Sequence, residues 1–429
     1  MNLLVQKGKR IQREYYLQQI IKYIKIDLIK VISGIRRCGK SVLLEDLYLY
    51  LINKKIPNSS ILYVNFDAEE NNSLLNLNNL KARVDDFISN NINNQRYILF
   101  DEIQDVNGFE KYVLGLYQDK LNDIYITGSN SKLNSKQIAS KFVGRTKIIN
   151  IYPYSFEEFT TYKKEILHSN ENNTKLFLEY ISNGGMPITL NMNNDKEMIN
   201  DYLKGVVTQI IVKDIFENYK IQYQDIFWKL LLYIMDTTSQ TFAIQNIIDV
   251  FTKKYGKVIK TSIIEKYINY MCDTYLLSKV KRYDVEGNKI LKIYDKYYAI
   301  DTGIRNALVN KNEKNNSWLL ETIVYNELIR KQYTVLIGKV NYYQKDSNGK
   351  TIRVENEVDF IASKDNETLY IQVSWTVNDK GSVTWNREIS PLLHIKKANV
   401  KLFIVTTDVI DETQNGVKFI NIFDFFKFI

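Results

Sequence analysis

A chain of 429 residues exceeds one ordinary core, and 45% hydrophobic against 25% charged residues is the balance of a folding globular protein, not of a disordered or fibrous one. No run reaches the roughly 18 apolar residues that cross a bilayer, and two distant cysteines (Cys38, Cys272) with two histidines assemble neither a disulfide framework nor a zinc site. The expectation is a cytoplasmic protein without a membrane partner, and its net charge of +9 reads first as lysine-rich solvated surface, suiting a polyanion only if gathered on one face.

The front of the chain alternates short apolar runs with helical patterns. Leu28 to Ser33, Ile61 to Phe66, Tyr97 to Asp101, Ile124 to Thr127 and Lys147 to Ile151 read as buried strands. Such alternation predicts an α/β domain over residues 1–160, with a parallel sheet that binds ligands at the carboxyl ends of its strands.

Directly after the first run, Gly34-Ile35-Arg36-Arg37-Cys38-Gly39-Lys40-Ser41 has the spacing G-x-x-x-x-G-K-[ST] and precedes the amphipathic run Val42 to Leu51. Gly34 and Gly39 let the backbone curl so that N–H groups face phosphates, and the helix that follows directs its positive end at them. Gly34, Arg37, Cys38, Gly39, Lys40 and Ser41 are the expected ATP cradle. Lys40 is assigned the β and γ phosphates, and the Ser41 hydroxyl a magnesium ion. Arg36 and Arg37 could meet phosphate or an adjoining acid, or simply be solvated.

Tyr97 to Glu102 is an apolar strand ending in two acids. Asp101 is expected to hold the magnesium through water, and Glu102 to orient and deprotonate the attacking water. Thr127-Gly128-Ser129-Asn130 ends another strand, with Ser129 or Asn130 as a sensor of the γ-phosphate. Arg145, just before the fifth strand, is expected either to stabilise the transferring phosphoryl group, in cis or in trans, or to form a surface salt bridge.

Residues 161–222 read as a helical lid or linker, interrupted at Gly184-Gly185-Met186-Pro187. Residues 223–310 read as a winged-helix-like domain whose β-like runs, Leu277 to Tyr283 and Lys289 to Tyr294, form the wing. Between Lys279 and Lys296, Lys279, Lys281, Arg282, Lys289, Lys292 and Lys296 outnumber the acids Asp284, Glu286 and Asp295. That excess could rest on DNA phosphates, although winged helices also dock proteins. The Asn- and Lys-rich stretch Asn310 to Ser317 reads as a linker, with a further α/β domain over 318–429.

Together the Gly34 to Ser41 loop, Leu99-Phe100-Asp101-Glu102-Ile103-Gln104, Thr127-Gly128-Ser129, Gly144-Arg145, Tyr152-Pro153-Tyr154-Ser155-Phe156-Glu157-Glu158-Phe159 and Gly184-Gly185-Met186-Pro187 resemble the prokaryotic AAA-plus-like P-loop ATPases with a DUF4143 C-terminal region. Glu321 through Arg330 and Glu357-Val358-Asp359-Phe360 resemble that family's C-terminal block. The resemblance implies an ATPase core, a winged-helix middle and a restriction-endonuclease-like C-terminal domain. In the endonuclease-like pattern, carboxylates hold magnesium and a lysine steadies the attacking water. Glu321, Asp359, Gln372 and Ser374 occupy those places, so an amide replaces one acid and a hydroxyl replaces the lysine. Glu357 could substitute for the lost ligand.

The leading expectation is a magnesium-dependent ATPase acting as a nucleotide-driven switch, with a fold used for binding at the back and no nuclease activity. The alternatives are an ATP-regulated DNA-binding or DNA-processing protein and a nucleotide-binding scaffold with negligible turnover. A protein partner or homo-oligomer is compatible with each.

Overall fold

The computed structural model describes residues 10–128, 142, 144–241, 244–256, 260–291, 295–309, 316–345, 350–377 and 380–429. They fall into two compact units, the first comprising residues up to Phe177, Gly185–Lys220 and Asp273–Tyr275, the second Leu178–Gly184, Ile221–Cys272 and Leu276–Ile429.

In the first unit, helix α1 (Glu14–Ile21) buries Tyr16, Leu17 and Ile20. Strand β1 (Ile29–Ser33) is buried at all five positions and leads through the glycine loop into α2 (Lys40–Asn53). The chain continues through β2 (Ile61–Asn65), α3 (Leu77–Ser89), β3 (Arg96–Asp101), α4 (Phe109–Leu116), β4 (Asn122–Gly128) and β5 (Thr146–Asn150). The strands lie in the order β2-β3-β4-β1-β5, all parallel. A parallel sheet needs crossovers that cover its faces, which is why its strands are near-continuous apolar runs. Val31, Val64, Ile98, Phe100, Ile124 and Ile126 form the centre of one core with Leu80, Val84, Phe109 and Val113 of the helices.

Next come α5 (Phe156–Thr161), whose Ser155 and Glu158 form a reciprocal capping box, α6 (Asn173–Asn183), which runs into the second unit, and α7 (Lys196–Gln209). The last continues as a wider π-turn, Ile210–Phe216. The Gly-Gly-Met-Pro break demands glycine twice. A Cβ on Gly185 would stand 2.2 Å from the Tyr154 carbonyl oxygen in the first unit, and one on Gly184, whose φ is +74°, would stand 2.0 Å from Asp301 Oδ1 in the second.

The second unit contains α8 (Gln224–Asp236), α9 (Ile244–Tyr255), α10 (Thr261–Asp273), β6 (Leu277–Val280), β7 (Arg282–Asp284), β8 (Lys289–Ile290), β9 (Lys296–Ala299), α11 (Thr302–Leu308) and α12 (Asn316–Arg330). It ends with β10 (Thr334–Lys345), β11 (Thr351–Lys364), β12 (Glu367–Ser374), α13 (Val383–Leu393), β13 (Val400–Thr406), β14 (Asp411–Gln414), β15 (Val417–Asn421) and α14 (Ile422–Phe428). Its large sheet runs β14-β15-β13-β12-β11-β10-β7-β8.

The expected wing is therefore divided. β6 pairs antiparallel with β9 in a small separate sheet, whereas β7 lies parallel to β10, with Arg282 opposite Ile337 and Asp284 opposite Lys339. The hairpin of β7 and β8 so becomes an edge of the large sheet, and the regions 223–310, apart from Asp273–Tyr275, and 318–429 fall within one unit. Among the described residues, no helix is long and apolar enough to cross a membrane.

Candidate functional site

Three chain segments converge at the carboxyl ends of β1, β3 and β4. The Gly34 to Ser41 loop leaves β1 where a Cβ on Gly34 would stand 2.2 Å from the Ile151 carbonyl oxygen, so only glycine fits. Gly39 adopts φ +103° as the residue that opens α2. Arg37, with φ +65°, takes the left-handed conformation without being glycine, at a cost of about 1 to 2 kcal/mol. Its guanidinium reaches Gln209 at 3.4 Å and the ring of Tyr202.

Lys40 is 3% exposed, and its Nζ donates to the carbonyls of Gly34 and Ile35, each at 3.2 Å, while standing 3.5 Å from Glu102 Oε1. Glu102, at φ +58°, is a second non-glycine residue in the left-handed region. Its backbone N–H donates to Thr127 Oγ1 at 2.9 Å, and Gln104 Nε2 donates to its carboxylate at 2.6 Å. Glu102 is held in this strained conformation by polar contacts to its backbone and its carboxylate, as is typical of functional centres.

The Thr127 hydroxyl donates to Asp101 Oδ1 at 2.5 Å, and Ser41 favours the ionised form of the same carboxylate. Burial, with the nearby Glu102 charge adding to it, pushes Asp101 up to about 6, against the opposing effect of Thr127, Ser41 and Lys40. Two adjoining carboxylates with two hydroxyls are a hard-oxygen donor set that fits magnesium, and the Lys40 ammonium beside them fits a phosphate oxygen. The sequence-assigned Gly34, Gly39, Lys40, Ser41, Asp101 and Glu102 are thus brought together.

Arg145 is not. It directly precedes β5, and Ile29 N at the start of β1 donates to its carbonyl. In a parallel sheet that is the amino edge, whereas the glycine loop leaves the other end, where Ser33 pairs with Asn150. Arg145 is exposed there, near Lys120 and Tyr117, so of its expected roles the one in cis has no geometry, whereas the role in trans and the surface salt bridge are not touched by this placement. Ser129 and Asn130 lie outside the described residues.

Several contributors were not legible as such. Arg13, 2% exposed, donates from Nε and Nη2 to the two oxygens of Glu158, each at 2.8 Å, and from Nη1 to the Cys38 carbonyl at 2.9 Å. It also lies over the rings of Tyr16 and Tyr154. Burial works against this charge, but Glu158, Tyr16 and Cys38 together more than offset it and raise Arg13 above its ordinary value. The Tyr152 to Phe159 motif therefore braces the glycine loop through Arg13. Arg36 makes a two-point pair with the buried Asp214, Nε to Oδ2 at 2.7 Å and Nη2 to Oδ1 at 2.8 Å. Tyr275 meets Ser33 Oγ at 2.8 Å. A basic residue before the first strand and an acid in a helical run carry no local signal of these roles.

The expected basic wing is largely spent on internal pairs. Lys279 pairs with Asp295 at 2.8 Å, Arg282 with Glu355 at 3.4 Å, and Lys296 is buried. Lys281 and Lys289 are exposed, while Lys292 lies outside the described residues.

At the remaining C-terminal positions, Gln372 Nε2 donates to Glu388 at 2.9 Å and the Ser374 hydroxyl to the Thr376 carbonyl at 2.9 Å. Glu321 and Asp359 lie instead beside Lys296.

Residues 27–160 match a family model described as an AAA domain, and residues 174–315 match a domain of unknown function, DUF8612. The second match names DUF8612 where the resemblance named DUF4143, so the AAA part of the resemblance is shown and its DUF4143 part is not. Over 417 residues the chain is 33% identical to an uncharacterized protein of Haemophilus influenzae, covering 96% of this chain and 98% of that one. It is 31% identical over 418 residues to the uncharacterized protein MJ1544 of Methanocaldococcus jannaschii, covering 94% and 86% respectively. Among solved structures, the Walker-type ATPase PABY2304 of Pyrococcus abyssi aligns at 16% identity and a TM-score of 0.46, over 69% of this chain and 95% of that one.

Proposed function

Since the chain belongs to the family of these Haemophilus and Methanocaldococcus proteins and carries an AAA domain, we propose that it binds ATP with magnesium, hydrolyses it, and uses the change in bound nucleotide as a switch. The observation that carries this reading is the convergence of Lys40, Ser41, Asp101, Glu102 and Thr127 at the carboxyl ends of three neighbouring parallel strands.

In this reading the loop backbone from Gly34 to Gly39 cradles the phosphates. Lys40 leaves the Gly34 and Ile35 carbonyls for the β and γ oxygens. Ser41 and Asp101 hold magnesium, which when bound supplies positive charge to the same oxygens. Glu102 orients the attacking water and accepts its proton, its own position fixed by Thr127 and Gln104.

The switch follows from shared partners. Lys40 stands beside Glu102, and Glu102 acts electrostatically on both Arg36 and Asp214. Occupying Lys40 with phosphate withdraws a counter-charge from Glu102 and is felt at the Arg36–Asp214 pair, which joins the loop to the π-turn after α7.

Calorimetric titration with ATP and magnesium, together with phosphate release, tests the proposal. Lys40→Ala should abolish binding, and Glu102→Gln should preserve binding while blocking turnover. Equal loss of binding in both would remove the role given to Glu102, and no nucleotide uptake by folded wild-type protein would remove the proposal itself.

A further inference from the structure

In the second unit, three carboxylates surround one ammonium. Lys296, the first residue of β9, is 3% exposed, and its Nζ stands 2.9 Å from Glu321 Oε1, 2.6 Å from Glu357 Oε1 and 3.7 Å from Asp359 Oδ1. Glu321 comes from α12, Glu357 and Asp359 from β11. The Tyr298 hydroxyl donates to Glu321 Oε1 at 2.7 Å, the Val373 N–H to Asp359 Oδ2 at 2.8 Å, and Arg282 Nε approaches Glu357 Oε2 at 3.8 Å.

Glu321 and Asp359 are the acids that the endonuclease-like resemblance would give to a divalent metal. A magnesium ion held by such oxygens sits about 2.1 Å from each. The ammonium already fills the space on which the three carboxylates converge, so metal and Lys296 cannot share it. The other expected ligands are turned away, since Gln372 is engaged with Glu388 and Ser374 with the Thr376 carbonyl.

The balance of charge explains why a lysine stays here. Burial alone strongly disfavours an ammonium. Glu321, Glu357 and Asp359 together more than offset that, and Lys296 is held firmly protonated. Burial in turn raises Glu321 and Asp359, the Lys296 charge opposing it in both.

We propose that Lys296 is the resident cation of this centre: its tethered ammonium takes the place of the divalent ion, and the endonuclease-like part of the chain holds together without metal. The residue missing from the strand as Ser374 is not restored by Lys296 as a catalytic group. Lys296 instead closes the site. A direct consequence is that removing the ammonium, and nothing else, should open a metal site made of Glu321, Glu357 and Asp359.

The test titrates manganese into nucleotide-free full-length protein and follows free ion by electron paramagnetic resonance. Wild-type protein and Asp359→Asn should take up the same number of ions, whereas Lys296→Met should gain one ion per chain, bound about tenfold or more tightly than any ion the wild type binds in this unit. The gain should vanish in Lys296→Met/Asp359→Asn. Melting in EDTA against manganese gives a second readout, with Lys296→Met raised by the metal and wild type unmoved. A wild-type ion that is lost in Asp359→Asn but kept in Asp101→Asn overturns the proposal, even if Lys296→Met does not fold. So does a folded Lys296→Met that gains no ion.

Discussion

Replacing Arg13 by methionine removes two bonds to Glu158, each 2.8 Å, and one to the Cys38 carbonyl at 2.9 Å, from a side chain that is 2% exposed. Breaking one side of a buried ion pair costs about 3 to 5 kcal/mol, because the surviving charge is left uncompensated. Glu158 keeps its capping bond from the Ser155 N–H, so the lower part of that range is expected. The Cys38 bond acts differently, since it holds the phosphate loop. A charged hydrogen bond contributes about 1.5 to 3 kcal/mol. If all of it goes into loop geometry, nucleotide affinity falls by about tenfold to a hundredfold. Glu158→Gln, by contrast, leaves Arg13 free to reach Cys38. Urea unfolding and titration with a fluorescent ATP analogue separate the two effects: Arg13→Met should lose stability and affinity, Glu158→Gln mainly stability. Arg13→Lys, whose single ammonium cannot reach three acceptors, should fall between them. Wild-type affinity in Arg13→Met, or an equal affinity loss in Glu158→Gln, would refute the bracing role.

Four further outcomes follow from the geometry. Gly34→Ala pushes a Cβ to 2.2 Å from a backbone oxygen and should cost about 1 to 3 kcal/mol together with nucleotide binding, whereas Gly205→Ala, exposed within α7 with nothing inside 4 Å, should stabilise by about 0.5 to 1 kcal/mol in the same melts. Arg36→Met strands the buried Asp214 and should destabilise by about 3 to 5 kcal/mol, a loss that Arg36→Met/Asp214→Leu largely recovers in a double-mutant cycle. Asp101 rises from 3.8 to about 6 on folding, so between those values the folded state holds more protons and stability falls as pH rises, the full cost of about 3 kcal/mol being present above the folded value. Without magnesium or nucleotide, Asp101→Asn should therefore be the more stable protein at pH 8, the difference disappearing toward pH 4; a difference that ignores pH would count against the buried charge. If Lys281 and Lys289 bind DNA, Lys281→Ala/Lys289→Ala should lower affinity and flatten its salt slope by about two, whereas the internal pairs of Lys279 and Arg282 favour no DNA stimulation of ATP turnover.

The parallel sheet was legible because its strands are buried on both faces, which leaves runs such as Tyr97 to Phe100 with no polar interruption. The cradle was legible because a phosphate loop constrains neighbouring residues: Gly34 by close approach, Gly39 by its backbone angle, Lys40 and Ser41 by position on the same turn. Asp101 and Glu102 announced themselves as charges at the end of an apolar strand. What stayed hidden was every partner supplied from far along the chain. Arg13 and Glu158 are separated by 145 residues and Arg36 and Asp214 by 178, and a single sequence contains nothing that pairs them. The cis alternative for Arg145 shows the complementary limit. Its neighbourhood was read correctly as preceding a strand, but a parallel strand delivers its preceding and following loops to opposite edges, and only the register with β1 fixes which edge holds the cradle.

Lys296 exposes the limit of reading charge locally. A lysine at the start of a short β run reads as solvated, and counting it with its neighbours gave the hairpin a basic face. Yet all four residues of β9 are buried, and the charge is balanced by acids that lie 25, 61 and 63 positions away. Burying an ammonium without those acids is forbidden by desolvation, and burying the acids without the ammonium invites protons or metal. Each half of the cluster therefore makes the other possible. Lys296 on β9 contributes structural charge to the acids of α12 and β11 rather than a surface for phosphates, and this is the same physical fact that closes their acidic centre to magnesium.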